Sequence, residues 1–200
     1  MREPGAGSWA CRPDPRRAAS VVWLHALRYL PLAAPGSLLP APPDMPLLAT
    51  VSGLRGVFAD GLDPAVLVRY TSAYAGWLSR GGLAPRVVVG RDGRVTGSVC
   101  ARIVAATLQA CGCSVVDVGL ATTPTVAMAV LKHGADGAVI LSASHNPAEW
   151  NALKLLDARG EFLGPNEGAA VLALADGGAD AAAAAHTVGY ERLGEHATDD

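Results

Sequence analysis

Gly137-Ala138-Val139-Ile140-Leu141 runs without a polar side chain straight into Ser142-Ala143-Ser144-His145-Asn146-Pro147. An unbroken apolar run of this length fits a strand covered on both faces, because a half-exposed strand would alternate. The polar hexapeptide begins where that strand ends. Upstream the same pattern occurs twice more: Arg86-Val87-Val88-Val89 stops at Gly90, and Ser114 to Val118 stops at Gly119. Helical patterns lie between. Thr96 can cap a helix reaching about Ala110 with Ile103, Val104, Thr107 and Leu108 inward, and Thr123-Pro124 opens one that ends near His133-Gly134. Strands alternating with helices of this length need crossover connections. The expected fold is therefore α/β: three layers, with a mixed, mostly parallel sheet and helices on both faces. Functional groups in such sheets gather at the carboxyl ends of strands, here Gly90 to Arg94, Gly119 to Thr123 and Ser142 to Pro147.

Working outward, Asp63-Pro64 reads as an N-cap with proline at the first helical position. Val66, Leu67, Tyr70, Tyr74, Trp77 and Leu78 then make one apolar stripe up to Gly81-Gly82. Before it, Met45-Pro46-Leu47-Leu48-Ala49-Thr50-Val51 reads as a strand running into a glycine turn. Beyond the hexapeptide, Asn151 to Leu156 and Glu161 to Leu163 look like a hairpin around Asp157-Ala158-Arg159-Gly160, and Asn166 caps a helix through Ala175. The expected domain is 45–178. Residues 179–200 read as a Gly/Ala linker and the start of a truncated second domain, with a short strand over 188–193. Residues 1–44, rich in Pro, Arg and Ala, lack either periodicity and read as a disordered tail or as upstream sequence outside the natural protein, which would start at Met45. Mass spectrometry of the natively expressed protein is then expected to find no peptide from Arg2 to Arg12; finding one overturns the Met45 start.

Composition excludes several classes. The chain has 200 residues, 50% apolar and 17% charged, with a formal net charge of -2. Its 23 Gly and 14 Pro together fall short of the roughly 25–30% that marks low complexity. A nucleic-acid face needs clustered Lys and Arg, and 5% aromatic residues leave few stacking platforms, so no nucleic-acid partner is expected. No apolar run reaches the about 18 residues of a membrane span. The best candidate, Ala18 to Leu30, is broken by His25 and Arg28. Cys11, Cys100, Cys111 and Cys113 contain no C-x-x-C pair and read as free thiols of a cytoplasmic protein.

Three stretches can carry chemistry. Ser142 to Pro147 supplies a hydroxyl nucleophile, an imidazole and main-chain donors at a strand end; the plain alternative is an ST-turn closed by Asn-Pro. Ser52-Gly53-Leu54-Arg55-Gly56 sets a guanidinium between glycines, where the backbone can approach a ligand and a fork can grip phosphate. Lys154 follows ten residues after Ser144 among apolar neighbours, a setting that can lower an amine's pKa for proton transfer. A nucleophilic oxygen, two cations and amide donors suit phosphoryl transfer. A serine hydrolase using Ser144 and His145 is unsupported, since there is no G-x-S-x-G elbow and nothing supplies a third group.

With these residues quoted, the chain resembles the α-D-phosphohexomutases, the family of phosphoglucomutase, phosphomannomutase and phosphoglucosamine mutase. The resemblance runs from about Val51 to Glu167. It rests on the Ser52 to Gly56 and Ser142 to Pro147 stretches together with Val89-Gly90-Arg91-Asp92-Gly93-Arg94, Val118-Gly119, Thr123-Pro124-Thr125 and Asn151-Ala152-Leu153-Lys154. It implies that Ser144 carries the transferred phosphoryl group and that its phosphate oxygen binds Mg²⁺. Arg55 and Lys154 would flank the phosphate, with Lys154 as general acid or base, and His145 and Asn146 would help to bind and position it. The implied reaction moves a phosphoryl group between O1 and O6 of a hexose phosphate through a hexose bisphosphate. Ser142 stands where the family often has Thr, and Ala152 where it often has Gly.

Family members have four domains and this chain resembles the first. The acidic metal loop, the sugar-specificity loop and the last phosphate-gripping loop have no counterpart before Asp200, and Asp199-Asp200 does not match the metal loop. The expectation is a fragment, inactive alone, whose docking partners are the missing domains. The alternative is a non-catalytic domain that binds a phosphosugar or a partner. The sugar itself is not specified by this stretch.

Overall fold

Val87, Val88 and Val89 are all fully buried, which a strand achieves only with packing on both of its faces. The computed structural model describes residues 47–50, 53–82, 84–177 and 189–193. The expected leader over 1–44, Ser52, Cys11, the linker over 179–188 and Asp199-Asp200 lie outside the described residues.

The strands are β1 Leu48–Thr50, β2 Gly53–Phe58, β3 Gly61–Leu62, β4 Arg86–Arg91, β5 Ser114–Leu120, β6 Gly137–Leu141, β7 Trp150–Leu156 and β8 Tyr190–Arg192. The helices are α1 Pro64–Leu78, α2 Gly97–Ala110, α3 Thr123–His133 and α4 Pro165–Asp176. One sheet runs in the order β1-β2-β7-β6-β4-β5-β8, with β3 paired to β2. The helices sit on both faces, unevenly. Leu67 and Tyr74 of α1, Val104 and Leu108 of α2 and Val171 of α4 pack with Val87, Val89, Val139, Leu141 and Leu153. On the other face α3 alone brings Val126, Ala129 and Val130 against Val88, Val116, Ala138 and Ile140. Alternation along β4 and β6 assigns each side chain to its face.

The mixed α/β architecture with helices on both faces stands, but the expected mostly parallel sheet is corrected to an evenly mixed one along its main path, with three parallel and three antiparallel pairings. β4 is parallel to β5 and β6, and β5 to β8; off the path, the two-residue β3 is parallel to β2. β1–β2, β2–β7 and β6–β7 are antiparallel. The reason is loop length: residues 142–149 between β6 and β7 are fewer than the about twelve that a parallel crossover needs, so the chain turns back. The expected hairpin of Asn151 to Leu156 with Glu161 to Leu163 forms only at its turn end, where the antiparallel bridge Leu156↔Phe162 is flanked by bonds from the Asp157 N–H to the Glu161 carbonyl (2.8 Å) and from the Leu163 N–H to the Leu155 carbonyl (3.1 Å). β7 already has β2 and β6 as neighbours, and only its last residues remain free to pair. The Asp157 carboxylate closes that turn, accepting from the N–H groups of Arg159 (2.9 Å) and Glu161 (3.1 Å).

Two helix starts also differ. Asp63 caps α1 as expected, its Oδ1 2.7 Å from the Val66 nitrogen. Thr96 precedes α2 but makes no side-chain cap bond, because its backbone is already helical (φ -82°, ψ -9°) where a capping residue is extended; its hydroxyl accepts a hydrogen bond from Asn151. α4 begins at Pro165 rather than after Asn166, and Glu167 reaches back to the Gly164 N–H at 2.6 Å. Among the described residues no helix is long and apolar enough to cross a membrane, and Cys100, Cys111 and Cys113 are buried free thiols.

Tyr74 links α1 to the sheet. Its buried hydroxyl lies 2.6 Å from the Leu156 carbonyl oxygen, and burial raises its pKa far above the ordinary phenol range. Gly137 makes room for it, since a Cβ there would run into the Tyr74 hydroxyl. Tyr74→Phe is expected to lower the unfolding free energy by about 1 kcal/mol, and Gly137→Ala by more, read from urea midpoints at constant m-value.

Candidate functional site

β6 is buried along its whole length, and residues 142–149 emerge from its carboxyl end beside the loop that follows β4. Main-chain bonds define the base of this serine loop. Ser142 N–H donates to the Ala152 carbonyl at 3.2 Å, Asn146 N–H to Ala143 at 3.1 Å and Trp150 N–H to Pro147 at 3.1 Å, while Phe58 of β2 donates to the Glu149 carbonyl at 3.3 Å. The ST-turn that the residues alone left open is present, but Ser142 makes it: its Oγ accepts from the Ser144 N–H at 3.2 Å. Ser144 has φ +56°, a left-handed conformation uncommon for a residue with a Cβ. Its side chain is exposed, and its hydroxyl bonds to no protein group among the described residues.

Arg94 holds the loop from beneath. Its side chain is 10% exposed and pairs through Nε with Asp92 Oδ2 at 3.1 Å. One terminal nitrogen donates to the carbonyls of Pro147 (2.5 Å) and Trp150 (3.0 Å), the other to those of Ser144 (2.8 Å) and Asn146 (3.0 Å). Asp92 is tied to the same strand end, its N–H donating to the Leu141 carbonyl at 3.0 Å. A second link lies deeper. The fully buried Asn151 donates to Thr96 Oγ1 at 3.0 Å and accepts from the Ala152 N–H at 2.8 Å. Arg94 and Asn151 both fall within the motifs quoted above, yet local spacing gives neither a role. The closely spaced Asp92/Arg94 pair is the signal available in the sequence; the carbonyls about 50 residues downstream, which the guanidinium reaches, are not.

Arg55 and Lys154 arrive from the antiparallel half. Arg55 is on β2, opposite Ala152 of β7, and Lys154 lies opposite Gly53 on one side and Ile140 on the other. The glycine-flanked Arg55 thus sits in a strand, not in a loop. Gly53 has φ +134°, and a Cβ there would strike the Leu153 carbonyl, so glycine is what lets β2 close on β7 beside Lys154. Leu54 and Leu153 point into the three-helix core. Alternation sends Arg55, Ala152 and Lys154 to the other face, where both cations line one open depression with Thr50 and Gly53. Arg55 is exposed and Lys154 half-buried.

Arg55, Lys154 and the root of the serine loop therefore meet at Ala152: it faces Arg55, lies two residues from Lys154, and its carbonyl anchors Ser142. They are not bonded to one another. Among the described residues no hydrogen bond or ion pair joins Ser144, His145, Arg55 and Lys154. His145 is exposed, and the Asn146 side-chain oxygen is buried without a partner.

Residues 47–181 match the family described as phosphoglucomutase/phosphomannomutase, alpha/beta/alpha domain I. The chain belongs to this family. It is 39% identical over 109 residues to a phosphoglucomutase/phosphomannomutase of Thermococcus kodakarensis, covering 54% of this chain and 24% of that protein. It is 37% identical over 123 residues to a phosphoglucosamine mutase of Thermoanaerobacter, covering 62% of this chain and 27% of that one. Among solved structures it is similar to a Thermus thermophilus protein provisionally assigned as a phosphomannomutase, with TM-score 0.64, 34% identity and coverage of 76% and 34% of the two chains. The chain thus spans about a quarter of the length of the curated relatives it matches.

In this phosphohexomutase domain Asn151 is the cross-link whose loss is simplest to measure. Asn151→Ala leaves the Thr96 hydroxyl and the Ala152 N–H without their partner, and urea denaturation is expected to show a loss of about 1–3 kcal/mol.

Proposed function

We propose that this chain provides the phosphoserine-bearing part of a cytoplasmic phosphohexomutase, which moves a phosphoryl group between O1 and O6 of a hexose phosphate by way of a hexose bisphosphate. The observation that carries this is the presentation of Ser144: an exposed, left-handed serine at the end of a buried parallel strand, on a loop whose root adjoins a depression lined by Arg55 and Lys154. In the proposed cycle a hexose phosphate hydroxyl attacks the phosphorus of phospho-Ser144, and the bond from phosphorus to Ser144 Oγ breaks. The attacking hydroxyl's proton passes by way of Lys154 to the departing Ser144 oxygen. The bisphosphate reorients and the reverse step, on its other phosphate, restores phospho-Ser144. Arg55 and Lys154 offset charge on the phosphoryl oxygens, and His145 and Asn146 line the loop that orients them.

Among the described residues no three His, Cys, Asp or Glu side chains gather as a metal site. The donor this chain offers to Mg²⁺ is a phosphate oxygen on Ser144, and that exposed, hard oxygen suits a cation that keeps several waters and binds through phosphates. Bound there, Mg²⁺ would neutralise phosphoryl charge. Relatives named for glucose or mannose and for glucosamine phosphates match alike, so no one sugar is proposed.

On this reading the 45–178 domain works with the family's other three domains, and the purified 200-residue chain shows no interconversion of hexose 1- and 6-phosphates. Fusing it to the last three domains of a relative restores Mg²⁺-dependent turnover, which Ser144→Ala lowers more than about a thousandfold. Full activity of the Ser144→Ala fusion would overturn the nucleophile. Stoichiometric phosphosugar binding without phosphorylation would favour a non-catalytic binding domain, and ester hydrolysis by the chain alone a serine hydrolase.

A further inference from the structure

A guanidinium carries five N–H bonds, and Arg94 has an acceptor for each: Asp92 Oδ2 and the carbonyls of Ser144, Asn146, Pro147 and Trp150. None remains for a phosphate, which separates Arg94 from Arg55. Four of the five acceptors are main-chain oxygens, three in the 142–149 loop and one on Trp150, the first residue of β7. In a trans peptide the C=O and the following N–H point in opposite directions, and no cis peptide occurs among the described residues. The Ser144 and Pro147 carbonyls turn down onto Arg94, so the N–H groups of His145 and Ala148 turn away from it, on the side where both residues are exposed. Neither N–H has an acceptor among the described residues. By contrast the Ser144 N–H is already held by Ser142 Oγ.

We infer that Arg94 is a positioning residue: by drawing inward three loop carbonyls and that of Trp150 at the start of β7, it holds Ser144 in its left-handed conformation and presents the His145 and Ala148 amides outward as donors to a phosphate on Ser144. The link to phosphate rests on the proposed function; the hold on the loop does not. Lysine cannot replace it. An ammonium offers three donors from one point, whereas the acceptors here are spread around a planar fork.

The test compares the wild-type 200-residue chain with Arg94→Lys. Hydrogen exchange at the Asn146 and Trp150 amides is expected to quicken at least tenfold in the variant, while Val139 and Ile140 in β6 stay within twofold. Unchanged loop exchange overturns the inference. Should Arg94→Lys fail to fold, Asp92→Asn, which weakens the carboxylate's bonds to the Arg94 Nε and main-chain N–H and leaves the four carbonyl acceptors in place, is expected to quicken the same amides severalfold, and its silence is equally decisive. The second reading is phosphate uptake onto Ser144 from glucose 1,6-bisphosphate, followed by intact mass and expressed per folded molecule. It is expected to fall at least tenfold in Arg94→Lys, and methylguanidinium is expected to restore part of it to Arg94→Ala, an outcome that general loss of stability would not produce. Equal uptake by wild type and Arg94→Lys overturns the inference. A wild-type chain that takes up no phosphate counts against phosphorylation of the isolated domain, while the exchange result still decides the role of Arg94 in holding the loop.

Discussion

One guanidinium ties the carboxyl ends of two neighbouring buried strands together. β4 and β6 run parallel, with Arg91 opposite Leu141 at their last pair, and the loops that follow leave the sheet side by side. A loop packed against a strand end must find partners for its carbonyls, since buried polar groups without them are costly. Arg94, reaching from the first loop, satisfies three carbonyls of the second and that of Trp150 just beyond it, and is itself neutralised by Asp92. Together with the main-chain bonds at the loop's base and the Ser142 hydroxyl, that side chain gives partners to an eight-residue connection without secondary structure of its own, on which Ser144 is exposed.

The two halves of the sheet contribute different things. The parallel half, β6-β4-β5, is packed on both faces and supplies a rigid base, with Val88 and Ile140 under α3 and Val87, Val89 and Leu141 in the larger core. The antiparallel half, β1-β2-β7, carries the cations. Helix α3 packs over β4 and β6 on its face, so the Arg55 and Lys154 side of β2 and β7 keeps an open depression. Strand alternation does the sorting: Leu54 and Leu153 are drawn into the core, and the residues on either side of them are turned to the opposite face.

Much of this was legible in the residues. The valine run of β4, the apolar run of β6, the Asp63-Pro64 start of α1 and the proline near the start of α3 are local signals, each set by burial on two faces or by the geometry of a helix's first turn. The hexapeptide at 142–147 was legible as a strand-end site for the same reason. What misled was equally local. Thr96 looks like a cap, but its backbone is already helical, and its hydroxyl accepts from Asn151, on a strand 55 residues away. Residues 151–163 look like a full hairpin, but β7 already has neighbours along most of its length and only its end pairs with 161–163. The mostly parallel sheet followed from counting β-α-β units, a rule that does not apply to the short turn between β6 and β7.

The sequence by itself determined which segments are buried, where helices start and which residues have the chemistry for a phosphate, because those properties depend on side-chain type and near-neighbour spacing. Only the tertiary structure decided that Arg55, Lys154 and the root of the serine loop meet at Ala152, and that the Ser144 carbonyl meets the Arg94 guanidinium while its N–H is held by Ser142. Pairing across a sheet and the reach of a long side chain join positions tens of residues apart, and nothing in local spacing encodes which of them will face each other.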